Sequence, residues 1–360
     1  MKIAIVGPVN TASYYGGVAV FVENLAEGLL NQNVDVEIIT DYSETEYTRN
    51  GVKITSISDK PLRRSFELSK KLFKALEENP PDFVITSLEY GLLNVKLSKS
   101  HLNTKSIHIL HGFMSNNNLK KNNGLIKGNI IKYITQYICK YSNYVLSNSS
   151  LTASLNHETS NILSDGILNL APSYDYINSI ESKTGKITKK RGKVIYIGRL
   201  AKSKNIDSLI KALSYVNNKI DLHIIGDGSE RSKLEELAEN NSHVYFHGRK
   251  DMESISTELL ESQVFVSLNP QESFGITFNE AILARCKIVA PYTGGQNDTL
   301  LKIKNGVRFV NPYSSVQIAQ GLDKAINDVL DPEEEIYKSI YYSFDQVALS
   351  LIEFIKINIK

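Results

Sequence analysis

Short runs of β-branched residues alternate along the chain with longer stretches in which apolar residues recur at helical spacing. In the first half the extended runs are KIAIVG, VDVEIIT, DFVITS, TKSIHILHG and NYVLSNS, and amphipathic stretches such as VAVFVENLAEGLLNQ separate them. Strands that alternate with helices in this way indicate βαβ units with a parallel sheet. The first half therefore predicts an α/β domain.

The same alternation starts again at residue 193. Its extended runs are KVIYIGRL, IDLHIIGDG, HVYFHG, VFVSLN and KIVAPY. Residues 174–192 are polar, rich in lysine and without apolar periodicity, so we predict a linker there. The chain thus predicts two doubly wound Rossmann-like domains, over 1–173 and 193–332, and a C-terminal helix over 333–360 that packs toward the N-terminal domain. Such sheets bind ligands at the carboxyl ends of their strands, so we expect the domains to face a central cleft.

Composition adds few constraints. The chain has 360 residues, a net charge of +2, 42% apolar and 22% charged residues, which is typical of a globular protein and favours neither disorder nor nucleic-acid binding. The cysteines Cys139 and Cys286 exclude a disulfide scaffold and indicate a reducing cytoplasm. We interpret MKIAIVGPV as a buried strand rather than a signal peptide, and no apolar run is long enough to span a bilayer.

Two loops carry groups suited to an anion. Gly16 and Gly17 directly precede an amphipathic helix, where backbone can approach a ligand and N–H groups are free, although a flexible turn is the alternative. The motif is not G-x-G-x-x-G, which disfavours a nicotinamide dehydrogenase. Arg199 and Lys204 lie in one strand-to-helix loop and could neutralise a diphosphate, although solvated surface cations are the alternative. Gly226 is expected in a turn at the same edge.

The stretch NPQESFGITFNEA carries two glutamates, Glu272 in a loop and Glu280 in the following helix. Their carboxylates can accept hydrogen bonds from vicinal diols, and the amides between Phe274 and Thr277 can bind hydroxyl or phosphate oxygens. A carboxylate early in a helix also complements the helix dipole, which leaves Glu280 with a purely structural alternative.

These residues resemble a known family. The segment E-S-F-G-I-T-F-N-E is similar to the E-x7-E motif of retaining GT-B glycosyltransferases, specifically glycosyltransferase family 4, the glycosyl transferases group 1. The resemblance spans nearly the whole chain in order: GG at 16–17, HG at 111–112, GRL to Lys204 at 198–204, GDG at 226–228, the glutamate motif, and GG at 294–295. It implies a GT-B fold and transfer of a sugar from a nucleotide-diphospho-sugar.

The resemblance also implies roles for individual residues. Arg199 and Lys204 would neutralise the leaving diphosphate, Glu272 would bind the donor sugar's hydroxyls, Glu280 would bind the ribose, and His111 would lie beside the sugar. The expected catalytic residues are His111, Glu272, Arg199 and Lys204. The expected donor-binding residues are Gly16, Gly17, Gly226, Arg249, Ser273, Phe274, Gly275, Ile276 and Glu280. Ser273, where the family often has glycine, and Asp298, where it commonly has glutamate, depart from the pattern.

Mechanistic expectations follow from the resemblance together with the residues. The sequence contains no D-x-D motif, so we expect no metal and no other cofactor, with cations in the metal's place. Family resemblance implies retention at the anomeric carbon. Glu272 as a covalent nucleophile is the alternative, by analogy with retaining hydrolases.

Residues 119–141 suggest where the acceptor binds. No Asp or Glu occurs between Tyr90 and His157, whereas this range contains eight lysines, several of them interleaved with Ile and Tyr. Such a segment suits an anionic membrane surface, although a solvated helix packed by its isoleucines is the alternative. We predict a cytoplasmic hexosyltransferase, peripheral on the inner face of the plasma membrane, that transfers from a UDP-sugar to a lipid-linked bacterial glycan such as an O-antigen, capsule or teichoic acid. Nucleic acid is not an expected partner.

Two other functions stay open from the residues alone. A nucleotide-sugar 2-epimerase of the same architecture would convert the donor without an acceptor. A non-catalytic nucleotide-sugar-binding protein would bind without turnover.

Overall fold

The computed structural model describes residues 1–11, 16–58, 65–113, 125–328 and 343–358. The chain divides into two compact units, the first formed by Met1–Ser173 with Ser343–Lys360 and the second by Tyr174–Tyr342. Among the described residues, no helix combines the length and apolar character needed to cross a bilayer.

The first unit is built on a seven-stranded parallel sheet in the order β3-β2-β1-β4-β5-β6-β7. Its strands are β1 (Lys2–Val6), β2 (Asp35–Thr40), β3 (Lys53–Ser56), β4 (Phe83–Ser87), β5 (Lys105–Leu110), β6 (Tyr144–Ser147) and β7 (Gly166–Ile167). The strand order reverses between β1 and β4, which makes their carboxyl ends the switch point of a doubly wound sheet. β4 is buried along its whole length, as expected of a central parallel strand.

The helices of the first unit cover this sheet. They are α1 (Gly17–Asn31), α2 (Ser65–Glu78), α3 (Leu92–Leu97), α4 (Leu125–Tyr141) and α5 (Ser150–Ser160). α1 buries Phe21, Val22, Leu25 and Leu29, a spacing that gives one apolar face at the helical period. α5 begins at a Ser149 cap, whose hydroxyl accepts a hydrogen bond from the Thr152 amide.

The second unit contains a six-stranded parallel sheet in the order β10-β9-β8-β11-β12-β13. The strands are β8 (Lys190–Ile197), β9 (Asp221–Ile225), β10 (Val244–Gly248), β11 (Ser262–Val266), β12 (Lys287–Pro291) and β13 (Val307–Val310). The helices are α6 (Tyr174–Lys183), α7 (Ile206–Ala212), α8 (Arg231–Ala238), α9 (Met252–Glu261), α10 (Ile276–Leu283), α11 (Asn297–Leu300) and α12 (Ser315–Asn327). The order reverses between β8 and β11, and an apolar cluster covers each face of the sheet.

The linker predicted over residues 174–192 is not a linker. Tyr174–Lys183 forms α6, and Tyr176 and Ile180 are buried in a core cluster of the second unit. One apolar pair four residues apart is enough to anchor a short helix on a sheet, and a search for sustained periodicity overlooks it. The compact second unit accordingly starts at Tyr174.

The sequence predicts a C-terminal helix over residues 333–360. Residues 329–342, which include the acidic run DPEEE, lie outside the described part of the chain, and the described helix α13 is Phe344–Asn358. It packs on α1 within the first unit, where Asn31 Nδ2 donates to Asp345 Oδ1 at 2.9 Å and the rings of Phe21 and Phe344 lie 6.0 Å apart. The chain's last helix therefore completes the first unit.

Candidate active site

The loops that follow β8 and β11 meet where the second sheet reverses its strand order. Lys204, after β8, and Glu272, after β11, form an ion pair in which Lys204 Nζ lies 2.5 Å from Glu272 Oε2. The side chains are 18% and 20% exposed, so the pair is shielded but still open to a ligand. The fold thus brings together two residues that the sequence predicts as catalytic, at the edge where such sheets bind ligands.

Backbone and side-chain hydrogen bonds from three loops fix the position of Glu272. Asn269 Nδ2 donates to Glu272 Oε2 at 3.1 Å, and the Gly295 amide, after β12, donates to the Glu272 carbonyl at 2.7 Å. Asn205, whose φ of +52° is in the left-handed region, reaches across from the β8 loop and donates to the Leu268 carbonyl at 2.9 Å. The carboxylate is therefore preorganised by the fold.

Gly275 sets the turn between Glu272 and α10. Its φ is +80°, and a Cβ at this position would lie 2.8 Å from the Phe278 ring and 3.0 Å from Glu272 Cγ. α10 begins directly after it at Ile276, and no side chain caps the helix. The Phe278 amide donates to the Gly275 carbonyl, so the amides of this turn that suit an anion are those of Ile276 and Thr277. Phe274 is buried and Ser273 is half-buried beside this turn.

Glu280 lies inside α10 rather than at its start. Burial raises the pKa of its carboxyl group to about 7, because an apolar environment disfavours the charged form. Its backbone carbonyl accepts a hydrogen bond from Tyr176 Oη at 2.8 Å, which ties α6 to α10. The carboxyl group therefore ionises at higher pH than that of an exposed glutamate.

Arg199 and Arg249 are exposed at the carboxyl ends of β8 and β10, and neither side chain hydrogen-bonds or ion-pairs with another described residue. Gly226, after β9, has a φ of +133°, and a Cβ there would lie 1.9 Å from the Gly198 carbonyl oxygen. The protein's own backbone therefore already requires glycine at 226. The packing that results holds the β8 loop, and Arg199 with it, against the β9 loop.

In the first unit, His111 lies just after β5 in a neutral hydrogen-bonded setting. Its Nε2 is 2.9 Å from Ser87 Oγ at the end of β4, and its ring packs edge-to-face on Phe21 at 4.7 Å. Burial lowers the pKa of His111 to about 4, so its imidazole is uncharged at neutral pH. Asn148, which follows β6, donates from Nδ2 to the His111 carbonyl at 3.0 Å.

Gly16 and Gly17 begin α1 in the same unit. Gly16 has extended backbone, and no side chain caps the first turn of the helix. Among the described residues, no atom lies within 4 Å of a Cβ added at Gly17. The described part of the chain thus leaves space at Gly17, in contrast to Gly226.

Sequence reasoning missed the residues that position the predicted ones. Asn269 and Asn205 support Glu272 and its loop, and Ser87 and Asn148 hold His111. The available signal was position: Ser87, Asn148 and Asn269 lie at or within three residues of the carboxyl end of a strand, and Asn205 directly precedes a helix. The GG at 294–295, noted only as part of the resemblance, supplies the amide that holds the Glu272 carbonyl.

Comparisons with known proteins identify the family of the chain. Residues 178–341 match the family described as Glycosyl transferases group 1, and residues 15–162 match Glycosyltransferase Family 4. The chain is 25% identical to an uncharacterised glycosyltransferase of Methanocaldococcus jannaschii, MJ1607, over 99% of this chain and 98% of that protein.

Solved structures show the same fold at low identity. Sucrose-phosphate synthase from Thermosynechococcus elongatus superposes with a TM-score of 0.72 at 16% identity, covering 99% of this chain and 98% of the other. HepE of Anabaena, in complex with UDP and glucose, gives a TM-score of 0.69 at 14% identity over 99% of both chains. The predicted α/β fold of GT-B type is thereby confirmed. With the two family matches together spanning most of its length, the chain belongs to the group 1, family 4 glycosyltransferases of GT-B fold.

Proposed function

We propose that the protein is a retaining hexosyltransferase that takes its sugar from a nucleotide-diphospho-sugar, with a UDP-sugar as the favoured donor. The observation that carries the proposal is the preorganised Lys204–Glu272 pair at the switch point of the second sheet. A cation beside a carboxylate fits a donor that presents phosphate oxygens and sugar hydroxyls side by side.

The two cations of the β8 loop suit the leaving group. Negative charge grows on the diphosphate as the glycosidic bond breaks, so fixed positive charge there stabilises the transition state more than the ground state. Lys204 is held in place by Glu272, and Arg199 is exposed and without an ion-pair partner among the described residues. We propose that these two side chains supply this charge without a metal.

Glu272 fits a hydrogen-bond acceptor better than a nucleophile. Its Oε2 already accepts from Lys204 and Asn269, which lowers its reactivity toward carbon while leaving Oε1 for a sugar hydroxyl. Glu280 is proposed to accept from the ribose hydroxyls. The donor contacts of Gly16, Gly17, Gly226, Arg249, Ser273, Phe274, Gly275 and Ile276, and the position of His111 beside the sugar, remain proposals of the same kind.

The relatives support a UDP-sugar without settling it. HepE of Anabaena is described in complex with UDP-glucose, whereas a shorter match, 31% of this chain, is to a GDP-mannose-dependent mannosyltransferase of Mycolicibacterium smegmatis. A fold neighbour at a TM-score of 0.63 is the lipopolysaccharide outer core galactosyltransferase WaaB. These names support a glycan acceptor, and we propose a lipid-linked one that meets the enzyme at the inner face of the membrane through the basic segment 119–141.

Part of that segment is visible. Residues 119–124, with Lys120 and Lys121, lie outside the described residues, and residues 125–141 form α4. The Lys132 ammonium group donates a hydrogen bond to the Thr159 carbonyl within the first unit, whereas Lys140 is exposed.

The test is transfer of radiolabelled sugar from UDP-, GDP- or ADP-hexose into an extract of bacterial lipid-linked glycans, in EDTA. We expect label in the organic phase with one nucleotide only, and release of the matching nucleoside diphosphate. NMR of the product should show the donor's anomeric configuration. Donor conversion to a free or epimerised sugar with no labelled lipid would instead favour the epimerase. Donor binding without any turnover would favour a non-catalytic binding protein.

A further inference from the structure

A cavity of about 530 Å³ lies in the first unit and is lined by residues of α2, α3 and α4 and of the segment that follows α3. Its apolar lining comes from Phe73 of α2, Leu92 and Val95 of α3, and Tyr137 of α4. Its volume is in the range of small-molecule sites. None of the residues with a proposed role in transfer contributes to it.

The lining of this cavity carries more basic than acidic side chains. Lys96, Lys99 and His101 line it, against a single carboxylate, that of Glu77. The ammonium groups of Lys99 and Lys140 lie 5.4 and 5.8 Å from the centre of the same ring, that of Tyr141. Among the described residues none of these lysines is paired with a carboxylate. Two cations therefore contact one aromatic ring, a local concentration of positive charge that an anion would balance.

Next to the cavity, α4 exposes an apolar stripe. Its members are spaced four, three and four residues apart along one face: Ile126 (77% exposed), Ile130 (52%), Tyr133 (71%) and Tyr137 (42%). Tyr137 belongs to both the stripe and the cavity. Large apolar side chains in contiguous rows are uncommon on a surface that faces only water.

We propose that this cavity and stripe, the lipid face of the protein, bind an anionic phospholipid of a membrane. The lipid phosphate contacts Lys96 and Lys99, one acyl chain enters the cavity past Val95 and Tyr137, and the stripe on α4 enters the headgroup layer. This proposal extends the membrane part of the proposed function and needs neither the donor nor the acceptor suggested there.

The chemistry of the lipid face favours a lipid over a protein partner. Tyrosine has an apolar ring and a polar hydroxyl, and it is enriched at the membrane–water interface. Lysines beside such a stripe are attracted to anionic headgroups. A protein surface would have to supply several carboxylates and a matching apolar ridge, whereas one phospholipid carries both an anion and an apolar chain.

The chain has no tryptophan, so a single one can report on each surface. Tyr133→Trp places it on the stripe, and Tyr313→Trp, at a residue 70% exposed in the second unit, is the matched control. Both proteins are mixed, without donor, with vesicles of acyl-brominated phosphatidylcholine, with or without phosphatidylglycerol. We expect quenching of Tyr133→Trp only with phosphatidylglycerol present, and no quenching of Tyr313→Trp.

Charge variants in the Tyr133→Trp protein test the cavity itself. Lys96→Ser with Lys99→Ser should weaken vesicle affinity about 10- to 30-fold, at roughly a factor of five per lysine. Lys70→Ser with Lys74→Ser removes the same charge from exposed positions of α2 that do not line the cavity, and should weaken it less than about threefold. Equal losses in both pairs, or no quenching by anionic vesicles, would overturn the proposal.

Donor binding is measured separately, by thermal shift without vesicles. It should be unchanged in both lysine pairs. A protein that binds vesicles but no donor would contradict the proposed function and support the lipid face. A protein that binds donor but no vesicles would support the proposed function and contradict the lipid face.

Discussion

The two units hold their candidate site side chains by opposite means. In the second unit Glu272 is fixed by the ammonium group of Lys204 and by the Gly295 amide, so the negative charge of its carboxylate is paired with a positive one. In the first unit His111 is fixed by the Ser87 hydroxyl and the Asn148 amide, and its lowered pKa of about 4 keeps it neutral. The charged Lys204–Glu272 pair is suited to a diphosphate. The neutral His111 is suited to hydroxyl groups, which bind by hydrogen bonds alone.

The largest expected effect is at the charged pair. Glu272→Gln keeps the shape but removes the charge, and should lower kcat for nucleotide release about 10²- to 10³-fold, comparable to the loss of a preorganised catalytic hydrogen bond. Together with Lys204→Met and the double variant, it forms a double-mutant cycle in which kcat of each protein is measured by steady-state kinetics. A coupling of about 1–3 kcal/mol is expected for contacting residues. Asp207→Asn, on the exposed surface of α7, is the control, and fully additive losses would show that the pair does not act together.

The second-largest effect is expected at Gly275, in the turn that positions Glu272. Gly275→Ala should lower the free energy of unfolding by about 1–2 kcal/mol, because alanine is strained in the left-handed backbone conformation. Clashes of the new Cβ with Phe278 and Glu272 should lower it further and weaken donor binding. Gly185→Ala is a matched control, because Gly185 has the same φ of +80° and no atom within 4 Å of an added Cβ. Chemical denaturation measures the free energy of unfolding of both variants. Equal losses would mean that the crowding around Gly275 has no energetic consequence.

The third effect is a dependence of folding stability on pH, which follows from the raised pKa of Glu280. Its folded pKa of about 7 lies above the ordinary value of 4.5, so its contribution to stability is fully present below pH 4.5 and is lost as pH rises to 7. Glutamine cannot ionise, so Glu280→Gln should gain stability over wild type across that interval, by about 1–3 kcal/mol at pH 8 given 1.4 kcal/mol per pKa unit and partial exposure.

The measurement is the denaturation midpoint of both proteins from pH 4.5 to pH 8, with Glu236→Gln, an exposed position on α8, as control. The same variant should bind donor more weakly if ribose hydroxyls donate to the carboxylate. A difference that does not change with pH would argue against a buried Glu280 carboxyl.

The smallest effect is expected at His111 in the first unit. Ser87→Ala removes one hydrogen bond from His111, worth about 0.5–1.5 kcal/mol, so activity should fall about 3- to 10-fold. Because the pKa of His111 is about 4, the pH–rate profile of wild type should show no titration of this residue between pH 5.5 and 8. Ser98→Ala, on the surface, is the control. An inflection near pH 6 that disappears in His111→Gln would contradict the neutral assignment.

The sequence predicted the two sheets well because buried parallel strands are nearly continuous apolar runs, as in VFVSLN and KIVAPY. It failed at α6, where only Tyr176 and Ile180 mark the buried face. Lys204 and Glu272 could each be named from their loops. Their direct contact could not, since 68 residues separate them and it depends on the order in which β8 and β11 pair.

The roles of Asn205, Asn269 and Gly295 were hidden for a related reason. Each acts through a hydrogen bond to another loop, and single-sequence patterns report only local spacing. The raised pKa of Glu280 likewise depends on burial by neighbours that are distant in sequence.

The central claim is that the second unit holds a diphosphate donor through Arg199, Lys204 and Glu272. The most direct measurement is calorimetric binding of UDP-, GDP-, ADP- and dTDP-sugars in EDTA to wild type, Arg199→Ala, Glu272→Gln and the surface control Lys211→Ala. We expect binding of one nucleotide class that persists in EDTA and is unchanged in Lys211→Ala. In Arg199→Ala and Glu272→Gln it should be lost or weakened at least tenfold, which corresponds to about 1.4 kcal/mol or more. Binding of equal strength in all four proteins, or binding that requires a divalent metal, would contradict it.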